Sequence, residues 1–170
     1  MEANHAAYLE TLDQRMAQNG FSGFDRAPAG VELDRLCYRM KFEATKFGNV
    51  EIYVAVKSIP VESLTVNFLK WYSSCIFTFA SVTMKGTPGL LAMNITYPVI
   101  VCDAVSDEVR QFVTTRYYNK LWGDKHFSAT EFPVIVEISA KGIVYYTKTP
   151  LWGAAYYGGF RKQAAQFFQP

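Results

Sequence analysis

Positions 97–104 of the chain read Tyr-Pro-Val-Ile-Val-Cys-Asp-Ala. An apolar run without polar alternation is typical of a strand that is buried on both faces of a sheet. A near copy, Phe-Pro-Val-Ile-Val-Glu-Ile-Ser, occupies positions 132–139. Between them, a hydroxyl residue at Ser106 followed by two acids predicts the start of an amphipathic helix. Strand, helix and strand in this order predict two parallel strands of one sheet, joined by a crossover connection.

Two stretches nearer the N-terminus alternate with a period of two and predict an antiparallel hairpin with one wet face. The apolar positions are expected to share the buried face: Met40, Phe42, Ala44, Ile52, Val54 and Val56. The charged positions are expected in solvent: Arg39, Lys41, Glu43 and Lys57. A loop of three residues at 47–49 gives this register, because it pairs Phe42 with Val54.

Helices are predicted before and after these strands. A first helix begins at Asn4 and ends at Asn19-Gly20, and a second runs over positions 60–79. The second carries few charges around its circumference, so it is expected to be covered on more than one side. A last helix starts at Thr149-Pro150. The sequence therefore predicts one α/β domain over residues 1–170, a mixed sheet with an N-terminal antiparallel hairpin, a parallel β-α-β unit and helices packed on the sheet.

Composition limits the classes of function. The formal net charge is only +2. Nucleic acid is therefore a possible partner, but the charge of the chain gives no support for it. The N-terminal residues lack the pattern of a signal peptide, and no stretch suits a membrane span, because Lys70 interrupts the most apolar helix. Three widely spaced cysteines, Cys37, Cys75 and Cys102, suit a reducing compartment. We expect a cytoplasmic protein.

The order helix, strand meander, helix and apolar strand over residues 4–104 resembles the restriction-endonuclease-like PD-(D/E)xK fold. In that family an acid and a Glu-x-Lys motif hold Mg²⁺ and position the attacking water or the phosphate. Here Ala55 stands where the motif requires an acid two residues before Lys57, and Glu51 lies about 20 Å along the strand from that lysine. The resemblance therefore implies a metal-free and inactive copy.

A second resemblance is carried by three short segments at positions 42–48, 125–134 and 149–157. They are similar to stretches in a group of uncharacterised prokaryotic proteins. This resemblance implies a prokaryotic cytoplasmic protein and transfers no site residue.

Four residues are the obvious donors for a catalytic site: Asp103, His126, Glu137 and Lys57. Asp103 ends a strand, where α/β proteins gather ligands, although a loop or capping aspartate also fits. Glu137 stands inside an apolar run, and either a buried site or a wet sheet face explains it. His126 follows Asp124 and is a candidate general base or a surface histidine. With two histidines in the chain, a histidine-rich metal site is excluded, and we predict no metal.

The C-terminal helix supplies the candidate binding residues Trp152, Tyr156, Arg161 and Lys162. The two cations suit a phosphate, but no Walker A or dinucleotide signature is present, so we predict no cofactor. The alternative is a close-packed helix with solvated cations. Because the aromatic residues of this helix are spread around more than one face, we predict that the chain forms a homodimer, or binds a protein partner, through it.

The sequence leaves two functional classes open. The first is a non-catalytic module that binds or assembles, which the absence of a complete catalytic constellation favours. The second is a hydrolase or metal-dependent nuclease-like enzyme with a site built from dispersed residues. Convergence of the four candidate donors in space would separate them.

Overall fold

A computed structural model of the chain describes residues 2–43, 48–85, 92–116, 129–149 and 154–170. The helices are α1 (Glu2–Gln18), α2 (Val66–Thr83), α3 (Asp107–Gln111), which continues as a π-helical turn over Phe112–Arg116, and α4 (Ala154–Phe168). The strands are β1 (Ser22–Gly23), β2 (Arg35–Glu43), β3 (Gly48–Ser58), β4 (Ala92–Cys102), β5 (Ala129–Glu131), β6 (Val134–Glu137) and β7 (Gly142–Tyr145).

All these strands form one mixed sheet in the order β1-β2-β3-β4-β6-β7, with β5 also paired to β4. β3, β4 and β6 are parallel and form its centre, whereas β1, β2 and β7 run antiparallel to their neighbours. The predicted fold class, an α/β fold with a mixed sheet, is therefore confirmed.

The two similar sequence stretches lie side by side and in register. Val99 of β4 pairs with Val134 of β6 in parallel, which confirms the predicted pair of parallel strands. Pro98 has no N–H to donate to the ladder. The strand beside β4 is accordingly interrupted at positions 132–133, between β5 and β6.

Helices cover both faces of the sheet. α1 and α4 pack on one face, which we call the α1/α4 face, and α2 and α3 pack on the other, the α2/α3 face. Aromatic rings fill the α1/α4 face: Tyr8, Phe21, Tyr97, Phe132, Tyr157, Phe160, Phe167 and Phe168. Smaller side chains and Tyr72 fill the α2/α3 face: Ala55, Leu69, Tyr72, Ile76, Ile100, Val109, Val113 and Ile135. The parallel strands are therefore buried on both sides, as an unalternating apolar run requires.

The hairpin of β2 and β3 is antiparallel as predicted, but its predicted register is wrong. Phe42 pairs with Asn49 instead of Val54, and the residues between Glu43 and Gly48, which include Ala44, lie outside the described ranges. Phe42 is 67% exposed and Met40 is 49% exposed. The predicted buried face is therefore wrong at the far end of β2.

The register places the odd-numbered residues of β2 on the α1/α4 face. Arg39, predicted in solvent, is partly buried there, with its guanidinium 4.7 Å from the centre of the Phe21 ring. Burial lowers the pKa of Arg39. β3 has no wet face, because Tyr53 and Ala55 are fully buried against the α2/α3 side.

The second helix is preceded by a 3₁₀ turn over Val61–Ser63, and its first turn is capped by Thr65, whose hydroxyl accepts from the Phe68 amide. Its buried positions are Leu69, Tyr72, Ser73, Ile76 and Ala80. Phe68 and Cys75 are only partly buried, because Tyr72 and Ile76 face the sheet.

α4 is continuous through Gly158 and Gly159, although glycine inside a helix costs about 1 kcal/mol relative to alanine. Tyr157, Phe160, Phe167 and Phe168 are buried against the chain's own sheet, and Trp152 lies outside the described residues. The described aromatic side chains of α4 that led to the predicted interface are thus largely covered within the chain, since the ring-rich α1/α4 face takes them up, and the homodimer or protein partner through this helix stays a prediction.

Candidate functional site

Asp103 follows the end of β4, as predicted, and faces the α1/α4 side of the sheet. Nε2 of His5 on α1 lies 3.2 Å from Oδ1 of Asp103, and both side chains are less than one-fifth exposed. This contact ties the first helix to the end of β4. Asp103 therefore serves a structural contact instead of standing free in a cleft.

Glu137 ends β6 but faces the opposite, α2/α3 side. Its Oε1 accepts from the Val105 amide at 3.0 Å, and its Oε2 accepts from Nη2 of Arg110 at 2.6 Å. Glu137 is buried, so the wet-face alternative is wrong. The carboxylate holds the start of α3 against the sheet.

The predicted donors do not converge within the described part of the chain. Nζ of Lys57 donates to the Glu32 carbonyl at 3.0 Å, and His126 lies outside the described residues. The side chains of Asp103, Glu137 and Lys57 each contact a different element. Among the described residues, no group of three or more His, Cys, Asp or Glu side chains is placed to hold a metal ion.

The binding candidates of the C-terminal helix are mostly structural as well. Arg161 donates to the carbonyls of Thr147 and Lys148 at 3.2 and 3.3 Å, and so holds the segment after β7. Tyr156 packs partly buried on the α1/α4 face, while Lys162 is exposed. Trp152 lies outside the described residues.

A buried carboxylate that the sequence pattern does not single out lies under the end of α2. Glu51 is 1% exposed, and its Oε2 accepts from the hydroxyls of Tyr38 and Tyr53 at 3.0 and 3.2 Å. Its Oε1 accepts from the Lys85 amide at 2.8 Å. Burial raises the pKa of Tyr53 to about 12, so this hydroxyl keeps its proton and stays a donor.

More polar side chains continue from Glu51 across β4 and β5 on the same face. Asn94 donates to the Ala80 carbonyl at 2.8 Å and accepts from the Thr96 hydroxyl at 3.1 Å. The Ser73 hydroxyl donates to Oε2 of Glu131 at 2.8 Å. We call these residues, with Glu51, the polar band. It places carboxylates and hydroxyls on one side of the sheet, but the described groups bind one another and the backbone.

The outward side of α2 carries exposed apolar side chains. We define its residues as the α2 outer stripe: Trp71, Ser74, Cys75, Thr78, Phe79 and Val82. Trp71 is 48% exposed and Val82 is 77% exposed. Lys70 is the only charged residue in Val66–Thr83, and its Nζ is turned to the Phe112 ring at 5.0 Å. An outward helix face normally carries charge, and this stripe carries none.

An open groove of about 350 Å³ runs along the same stripe. Its floor and one wall are formed by α2 from Ser74 to Val82, and its other wall is formed by Pro28 and Ala29. None of its lining residues is charged. The groove can therefore take an uncharged, bulky side chain and offers no group suited to bind an ion.

The sequence contains a signal for this surface, since the low charge of the second helix predicts that other parts of the protein cover it on more than one side. Among the described residues, α2 is covered on the side that packs on the sheet. The signal for Glu51 is weaker, because the period-two pattern of β3 places it on the face predicted to be wet. In the structure α2 covers that face.

Comparison with known proteins gives no relative: no protein family, curated protein or solved structure matches the chain. Among the described helices, none combines the length and apolar character that crossing a bilayer demands.

Proposed function

We propose that the protein is a non-catalytic binding or assembly module that docks a protein segment on the α2 outer stripe and its groove. The observation that carries this proposal is the α2 outer stripe, six uncharged residues beside a groove without charged walls, on an 18-residue helix whose one charged residue, the exposed Lys70, lies outside the stripe. Helix-in-groove binding uses such surfaces, with bulky apolar side chains as anchors. The fitting occupant is an uncharged helix that presents a large side chain.

The contacts that the polar candidate residues make support the same proposal. Asp103, Glu137 and Lys57 are used in separate contacts that hold helices and loops to the sheet. A catalytic site needs its acid, base or nucleophile within reach of one reacting atom. Asp103 and Glu137 face opposite sides of the sheet, and Lys57 donates to a loop carbonyl, so these three donors are not directed at one shared position.

The resemblance to the PD-(D/E)xK fold suggests a more specific form of this proposal, in which the chain is a degenerate restriction-endonuclease-like domain. The antiparallel β2 and β3 are followed by α2 and the parallel β4, which agrees with the element order of that fold. Ala55, at the position of the motif's acid, is fully buried, and Lys57 is bonded to a carbonyl. These features support an inactive copy that retained the scaffold and binds through another surface.

A photo-cross-linking residue at position 71 tests the proposal in cells of the source organism. We expect one dominant protein adduct from p-benzoylphenylalanine at Trp71. The same residue at Val61, an exposed apolar position outside the stripe, is the matched control. An equal, diffuse background from both positions would contradict the proposal.

The polar band favours a second candidate function, a hydrolase or metal-dependent nuclease-like enzyme. Glu51 and Glu131 lie on the same face of the sheet among hydroxyl donors, and carboxylates are the ligands that Mg²⁺ and Mn²⁺ prefer. Calorimetric titration with Mn²⁺ tests this candidate. Saturable binding that Glu51→Gln removes and Glu62→Gln preserves would favour the enzyme over the binding module.

A further inference from the structure

The outer edge of β2 is open over part of its length. β1 pairs with β2 along two residues only, and on that side the Leu36 carbonyl accepts from the Phe24 amide. The N–H and C=O groups of every second residue of an antiparallel strand point to the same edge, so those of Met40 and Phe42 point outward as well. No other described strand pairs with β2 on this side. An edge of this kind is a template for a further strand.

The side chains along the open edge alternate in character. Met40 and Phe42 are apolar and exposed, whereas Lys41 and Glu43 carry opposite charges on the other face of the sheet. Lysine at an edge normally hinders strand pairing, but here an acid follows two residues later on the same face. An incoming antiparallel strand with the order Lys-Phe-Glu therefore sets each charge opposite its complement.

We infer that the open edge of β2 pairs with the same edge of a second copy of this chain, antiparallel and with Phe42 on the two-fold axis. Lys41 of each copy then lies directly opposite Glu43 of the other, and the two Phe42 rings lie side by side. The amide of each Phe42 donates to the carbonyl of the other. The two sheets become one continuous sheet. This surface is separate from the α2 outer stripe, so the inference goes beyond the proposed function.

Charge selects this register and favours a second copy as the partner. An axis at Lys41 or at Glu43 sets two like charges opposite each other, and an axis at Met40 sets Arg39 opposite Lys41. Like charges directly opposite each other destabilise a strand pair, whereas opposite charges stabilise it. The axis at Phe42 joins only opposite charges among the described residues. A second copy always carries the required order of charges.

The pairing is short, so the association is expected to be weak. The open edge from Met40 to Glu43 is about 13 Å long at the rise of a strand. Interfaces of this size lie at or below the small end of the range for specific complexes. We expect a dimer with a dissociation constant on the order of hundreds of micromolar.

Sedimentation equilibrium, from low micromolar to near-millimolar protein, tests the inference. The average mass of the wild type is expected to rise from 19.2 kDa toward twice that value. Lys41→Glu and Glu43→Lys are each expected to stay monomeric, because each sets like charges opposite each other. The double variant restores the opposite pairs at unchanged net charge, and it is expected to dimerise as the wild type does.

An equimolar mixture of the two single variants tests the register itself. One variant carries two acids at positions 41 and 43, and the other carries two lysines, so a mixed pair joins only opposite charges. The mass is expected to rise in the mixture although neither variant associates alone. Glu62→Lys, at an exposed position outside the edge, is the matched control for Glu43→Lys and is expected to dimerise as the wild type does.

The inference is overturned by a wild type that stays monomeric at every concentration, or by a single variant that dimerises as the wild type does. It is also overturned if the double variant or the mixture stays monomeric, or if Glu62→Lys loses the dimer. A monomeric purified chain, together with one dominant adduct to a different protein from p-benzoylphenylalanine at Phe42 in cells, would show instead that the edge pairs with a foreign strand.

Discussion

At the scale of single residues, Glu51 is the carboxylate whose surroundings are most demanding. It is almost completely buried and accepts from Tyr38, Tyr53 and the Lys85 amide. Glu51→Gln replaces an acceptor oxygen by a donor that faces these hydroxyls. We expect the free energy of unfolding to fall by about 1–3 kcal/mol, measured by urea denaturation.

The exposed Glu62 provides the matched control for this substitution, since it lies in the 3₁₀ turn before α2. Glu62→Gln is expected to change stability by less than about 0.5 kcal/mol. Equal unfolding midpoints for the two variants would show that the buried carboxylate is not important for stability.

A buried thiol, a partly buried thiol and a buried phenol predict a loss of stability in alkali. Burial raises the pKa of Cys37 to about 11, and it raises the pKa values of Cys102 and Tyr53 to about 12. The unfolded chain therefore releases these protons at lower pH than the folded chain. The stability that the protonated thiols and phenol contribute is fully present below about pH 9, and it is lost as the pH rises through the pKa values of the folded chain.

Thermal unfolding between pH 8 and pH 11 measures this effect. We expect the melting temperature to fall above about pH 9. The double variant Cys37→Ala, Cys102→Ala is expected to show a shallower fall, compared with its own value at pH 8. A wild-type profile that stays flat to pH 11 would contradict the assigned pKa shifts.

Residue roles were only partly predictable from the sequence. The position of Asp103 after an apolar strand predicts its place at the end of β4, and the structure confirms this place. Its partner His5 is 98 residues away along the chain, and no local pattern indicates such a contact. The same limit applies to Glu137 and Arg110, because strand and helix must dock before the two meet.

At the scale of elements, two exposed glycines in α4 have no packing role within the described chain. A Cβ added at Gly158 or Gly159 meets no atom within 4 Å, and both residues lie inside a continuous helix. Alanine at each position is expected to raise stability by about 1 kcal/mol, measured as an increase in melting temperature.

Ala164 provides the opposite substitution in the same helix, because it is fully buried. Ala164→Gly is expected to lower stability by at least about 1 kcal/mol. A loss of stability in Gly158→Ala and Gly159→Ala would indicate that the glycines are required by a contact outside the described residues.

Element types were predictable where the pattern was long, as in α1, α2, β3 and β4. The register of the hairpin was not, because the argument assumed one wet face. Both faces of β3 are covered by helices, so alternation in β2 and β3 carries no information on which side is inside. The buried side of α2 was missed for a related reason, since apolar residues surround the helix and several stripes fit.

At the scale of the whole molecule, the sequence predicts the α/β class and the parallel β4 and β6 pair, because burial on both faces leaves an unalternating apolar run. The function was not predictable in this way. The predicted donors are spread over separate elements, and the surface that distinguishes the molecule is defined by missing charge on α2 instead of by a motif.

The most direct test of the central claim, that the α2 outer stripe is a binding surface, is photo-cross-linking from position 71 in cells of the source organism. The account predicts one dominant protein adduct from p-benzoylphenylalanine at Trp71, and no such adduct from the same residue at Val61, an exposed apolar position outside the stripe. An equal, diffuse background from both positions would contradict the account.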